Sequence, residues 1–175
     1  MTRALPAVKC ALCGRLVDPL KPFFRASGRF LPQKDPLTGF CDAPLHWPCY
    51  AAWPERPRFA RHYVDAWVRA NRANPFWWAV YQDNYVYISV NPQKPVEEVS
   101  VRLLEVGSDI RVRLSGWERW VADVDEVTPD LQVVEKQALA LILPELRARF
   151  PSHHSIVDAI DPQEKRPAAR ARKET

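Results

Sequence analysis

The spacing of apolar residues changes character along the chain, and each change marks an element. Residues 8 to 53 hold no sustained period. Pro19, Pro22, Gly28, Pro32, Pro36 and Gly39 break this stretch into loops and short strands, poor material for a core of its own. From Arg58 a helical period begins. Phe59, Tyr63, Ala66, Trp67 and Ala70 recur every three or four residues, which predicts an amphipathic helix ending before Asn74-Pro75. Beyond it the period shortens to two: WWAVYQ and YVYISV flank Asp83-Asn84, a hairpin signature. A second pair, VSVRLLEV and IRVRLSGWERWV, turns at Gly107-Ser108-Asp109, and a four-stranded antiparallel meander follows. Ile110, Val112 and Leu114 share one face of the last strand and Arg111 and Arg113 the other, so the sheet is expected to be buried on one side and wet on the other. The helical period returns at Thr128, taken as an N-cap with Pro129 at the first position. Leu131, Val134, Ala138, Leu141 and Ile142 form its stripe, and Pro144 is expected to kink or split it.

These elements predict an α+β fold in three parts: a module over 1–56, a body over 57–162 made of a linking helix, the meander and a C-terminal helix packed on its apolar face, and a disordered basic tail over 163–175. Composition agrees with a packed protein, at 47% hydrophobic and 26% charged residues. Seventeen prolines against five glycines assign its rigidity to fixed turns and rings. No run of apolar residues reaches membrane-spanning length and the first residues lack a secretory pattern, so a cytoplasmic protein with no membrane contact is expected.

Charge is divided. Residues 1–72 hold 12 Lys/Arg and five Asp/Glu, whereas residues 73–162 hold eight and 14. A basic head offers a surface to an anionic partner.

The strongest chemical signal is CALCG. Cys10 and Cys13, two residues apart, can grip one tetrahedral ion, and Gly14 permits the positive-φ turn that leaves backbone N–H groups pointing at sulfur. PLHWPCY adds His46 and Cys49 at i and i+3; at a helix start both project from one face, and Pro48 is tolerated there. Cys10, Cys13, His46 and Cys49 thus make a candidate site for one structural Zn²⁺. Four protein ligands leave no position for water, which argues against a catalytic metal. Cys41 is the alternative ligand, in a set of all four cysteines or in place of Cys49 beside His46. A redox CxxC is the rival use of Cys10 and Cys13, disfavoured by the absence of a βαβ pattern.

A knuckle followed by a ligand pair at a helix start resembles a treble-clef zinc finger, and CALCG with HWPC resembles one metal site of RING and LIM-type fingers. The resemblance covers roughly residues 8 to 53. Those fingers bind two ions through eight ligands and this chain supplies one set, so the resemblance implies the local fold and carries over no activity.

Elsewhere the ordinary structural reading prevails. His62 is expected on a helix surface and His153-His154 in a solvated loop, while Asp123, Asp125, Glu126 and Asp130 are expected to cap and solvate the next helix. Phe76-Trp77-Trp78 is expected in the core. Nucleotide-loop, nucleophile-elbow and HExxH motifs are absent, and no catalytic residue is assigned. The expectation is a non-enzymatic zinc-containing adaptor that recognises another protein. The alternative is nucleic-acid binding through the basic head, the tail and the helix arginines Arg58, Arg61, Arg69 and Arg72.

Overall fold

A computed structural model of the chain describes residues 8–73, 76–92 and 95–160. The basic tail expected over 163–175 lies outside the described residues. Two compact units emerge. The first takes the described residues up to Trp67 together with Glu105–Gly107, and the second takes Val68–Leu104 and the described residues from Ser108 onward.

In the first unit a bridge between Lys9 and Leu16 closes a tight loop, β1 (Phe23–Phe24) pairs antiparallel with β2 (Leu45–His46), and α1 (Trp47–Ala51) follows directly. The helix α2 (Arg56–Ala73) then leads out of this unit. Its last residue is Ala73, ahead of Asn74-Pro75 in the sequence. Despite its broken sequence pattern, this unit has a core of its own. Phe24 stacks on Tyr50 with ring centroids 3.8 Å apart, Phe30 meets Phe59 edge-on at 5.1 Å, and Leu31, Leu37 and Leu45 fill in around them. Aromatic rings supply by size what periodicity does not, since each buries large apolar area.

The segment Glu105–Gly107 completes that core from a distant part of the sequence. The buried Tyr50 hydroxyl donates to the Val106 carbonyl at 2.7 Å, and Arg61 pairs with Glu105 at 2.9 Å. Gly107 has φ +76°, and a Cβ there would meet Phe24 at 3.3 Å and Ala60 at 3.4 Å, so both backbone conformation and space demand glycine.

The second unit is built on a sheet of β3 (Trp78–Gln82), β4 (Val86–Val90), β5 (Glu98–Leu103) and β6 (Asp109–Arg113), in that order and antiparallel throughout. The Asp83 carboxylate sets the first hairpin by accepting from the N–H groups of Tyr85 and Val86 at 2.7 and 2.8 Å. Register places Val86, Ile88 and Val90 beside Leu103, Val101 and Val99 on one apolar face. Each such buried side chain stabilises by about 1.5–3 kcal/mol.

The expectation of one buried and one wet face holds for β6, where Ile110 and Val112 are buried and Arg111 and Arg113 exposed, but does not extend to the central strands. All five residues of β4 are buried, and in β5 the polar Ser100 and Arg102 are buried with the valines. Arg102 is tolerated there because Asp109 pairs with it at 2.8 Å and carries Ser100 and Arg111 as further donors.

Three further expectations are corrected. The segment WERWV, read with the fourth strand, is α3 (Trp117–Ala122), in which Trp117, Trp120 and Val121 bury one helical face after Gly116 ends the strand path. Thr128 does not start the long helix. It closes α4 (Val124–Val127), its hydroxyl donating to the Val124 carbonyl, and α5 (Val133–Arg149) begins five residues later with Gln132 and Glu135 as a reciprocal capping box. That shift turns the stripe, burying Val134, Leu139, Ile142 and Leu146 and leaving Leu141 69% exposed. Pro144 sits inside α5 without splitting it.

Candidate metal centre

The loop from Cys10 to Arg15 is wound by its own backbone. Cys10 N–H donates to the Arg15 carbonyl at 2.9 Å and Gly14 N–H to the Cys10 carbonyl at 2.8 Å, with Gly14 at φ +72°. The glycine is required where the turn reverses. Across from it, β2 delivers His46 and the first turns of α1 deliver Cys49, with Pro48 harmless so early in the helix.

The outcome is a convergence of Cys10, Cys13, His46 and Cys49, whose ligand atoms all lie within 4.8 Å of one another. Cys13 Sγ is 3.4 Å and Cys49 Sγ 3.9 Å from His46 Nδ1. The edges of a tetrahedron around zinc, with Zn–S of about 2.3 Å and Zn–N of about 2.0 Å, run to about 3.5–3.8 Å. The donors therefore stand close to the spacing such an ion requires, and this group could hold a metal ion.

The surroundings favour that use. His46 Nε2 lies 3.0 Å from the Leu16 carbonyl, a bond that places the proton on Nε2 and leaves the Nδ1 lone pair facing the sulfurs. His46 N–H donates to Cys10 Sγ at 3.3 Å. Hydrogen bonding from the Arg15 side chain, and then from its backbone, brings the Cys13 thiol down to about 6, whereas burial raises Cys49 above its ordinary value.

No family model, curated protein or solved structure matches the chain.

Cys41 stands outside the group. Half-buried after the 3₁₀ turn at Thr38–Phe40, it packs against the aromatic core. The helix arginines are partly neutralised: Arg58 pairs with Asp35 at 2.7 Å and with Glu55 at 3.6 Å, Arg61 with Glu105, and Arg72 donates to Gln82 at 2.9 Å, while Arg69 is exposed. The acidic residues near α4 do structural work. Asp123 caps it, Asp125 pairs with Lys136 and Glu126 with Arg119. Phe76, Trp77 and Trp78 are half-buried or exposed rather than core, and Arg111 lies over the Trp77 ring at 4.2 Å. Among the described residues no helix is long and apolar enough to cross a membrane.

His153 and His154 open the short helix α6 (His153–Asp158), not a loop, because Ser152 caps it. The Glu118 carboxylate accepts from His153 N–H at 2.9 Å and meets His153 Nδ1 at 2.6 Å. That backbone N–H is the main reason the Glu118 carboxyl falls from 4.5 to about 2. A carboxyl held lower in the folded state stabilises the fold above the unfolded value of 4.5, and this contribution is lost as pH falls through about 2. Glu118→Gln should therefore lower the melting temperature at neutral pH and flatten its decline between pH 4.5 and 2, as followed by circular dichroism.

Proposed function

We propose that the chain is a zinc-binding adaptor, with one structural Zn²⁺ on Cys10, Cys13, His46 and Cys49 fixing a treble-clef-like module that docks on another protein. The convergence of three thiols and an imidazole carries this reading, since soft sulfur and imidazole donors in a tetrahedral set suit zinc. A loop with a glycine turn, a two-stranded ribbon and a helix that starts at the second ligand pair form the local layout of that finger. Four protein ligands close the site, so the metal serves as a staple and not as a Lewis acid.

Support for protein docking comes from apolar side chains near the same loop. Leu16 is 62%, Leu20 92% and Phe23 39% exposed. The nucleic-acid reading has less support, because Arg58 and Arg61 already spend their charge on carboxylates.

The test is a Leu20→Ser/Phe23→Ser variant alongside wild type, both isolated from the native cell after crosslinking. A partner protein that is recovered with wild type and lost with the variant, at unchanged zinc content, supports the adaptor reading. Salt-sensitive recovery of nucleic acid instead, indifferent to these two residues, would overturn it.

A further inference from the structure

The second unit carries an open groove of about 1010 Å³ that the metal centre does not involve. Trp77, Asn91, Glu97, Arg113, Ser115 and His153 line it. Its size is that of small-molecule sites.

The groove collects hydrogen-bond donors that the described fold does not use. Asn91 is only 8% exposed, and its Oδ1 accepts from Glu97 N–H at 3.1 Å and Glu98 N–H at 2.9 Å. Those bonds fix the amide orientation and leave Nδ2–H₂ without a partner among the described residues. Arg113 stands opposite Glu98 across the β5–β6 ladder, yet Glu98 pairs with Arg111 at 2.8 Å. Arg113 is thus an exposed cation with no carboxylate of its own among the described residues.

His153 is held in the same manner. Its Nδ1 is engaged by Glu118, so Nε2 is its open nitrogen. Trp77 has one face under the Arg111 guanidinium at 4.2 Å, which anchors the indole without filling the groove. Among the described residues Glu97 alone contributes an uncommitted carboxylate to the groove, and it suits a ligand that also carries an N–H donor.

We propose that this groove binds a small organic anion on a planar, N–H-bearing ring, Arg113 and the Asn91 amide taking the anionic group and Trp77 the ring. Arginine forks and amide N–H groups recognise phosphate and carboxylate alike, and an indole stacks on any planar π-system. This inference is independent of the metal reading.

Adenosine monophosphate serves as the probe, with inorganic phosphate and adenosine as its separate halves. Titration of the full chain would be followed by calorimetry and by the indole N–H signals in NMR. Saturable binding of the monophosphate in the millimolar range or tighter, weaker with each half alone, is expected. Arg113→Gln should weaken it about tenfold or more, as loss of a charge-assisted contact does, while Arg119→Gln on α3 should leave it unchanged. Absence of saturable binding, equal binding of adenosine, or an unaffected Arg113→Gln variant would overturn the proposal.

Discussion

Cys10→Ser should abolish zinc retention and unfold the N-terminal unit. Cys10 is 1% exposed, accepts a hydrogen bond from His46 N–H, and offers one of the four donors. A structural zinc ion contributes on the order of 10 kcal/mol of apparent binding free energy at neutral pH. An average domain has a total stability of roughly 5–15 kcal/mol, so losing that ion removes most or all of it. Elemental analysis should find one zinc per chain in wild type and none in Cys10→Ser or Cys49→Ser, and near-ultraviolet circular dichroism should lose the aromatic signal of the Phe24–Tyr50 stack. Cys41→Ser should keep its zinc and cost about 1 kcal/mol, in line with a half-buried thiol outside the ligand group. Zinc lost on Cys41→Ser and kept on Cys49→Ser would move the site to the alternative ligand set.

Trp117→Ala should be the most damaging single change in the second unit. Trp117 has no exposed surface, its ring lies 5.3 Å from that of Trp120, and its indole N–H donates to the Phe150 carbonyl at 2.8 Å. Truncating a buried tryptophan costs about 3–5 kcal/mol through lost transfer energy and the cavity left behind. Orphaning the Phe150 carbonyl adds about 1–3 kcal/mol. The melting temperature should fall by on the order of 10–20 °C, with zinc content unchanged below the transition. Trp117→Phe should recover part of the packing and none of the hydrogen bond. A loss under about 1 kcal/mol would show that the α3 face does not hold this unit together.

The local codes of the chain were readable where one constraint dominated. Helix α2 was legible from its period and from Asn74-Pro75, and the meander from alternation interrupted by Asp83-Asn84 and Gly107. The ligand spacing was legible because metal geometry permits few patterns: the chain brings Cys10, Cys13, His46 and Cys49 together. Competition between signals hid the rest. Thr128-Pro129-Asp130 has the composition of a helix start, yet the reciprocal bonds of Gln132 and Glu135 satisfy more orphan N–H groups and win. WERWV has strand-like residues, and burial of both tryptophans on one helical face outweighs that propensity. The wet face read from Arg111 and Arg113 is present on β6 and stops there, because Ser100 and Arg102 of β5 are buried beside Asp109. Nothing in the sequence linked Arg113, Asn91 and His153, since only register and the α3–α6 contact bring them to one groove.

The three residues Glu105–Gly107 have a temporal meaning. They belong to the unit that carries the cysteine–histidine cluster, although the ribosome makes them nearly forty residues after Trp67. Until they emerge, Tyr50 has no acceptor for its hydroxyl and the ring of Phe24 lacks the close cover of Gly107. The N-terminal unit therefore cannot finish folding as it leaves the exit tunnel, but only once three more β-strands have been synthesised past it. A fragment cut at Trp67 would hold every ligand and still be missing a wall. Evolutionary transfer of this unit to another chain would have to carry the β5–β6 connection with it or rebuild its equivalent.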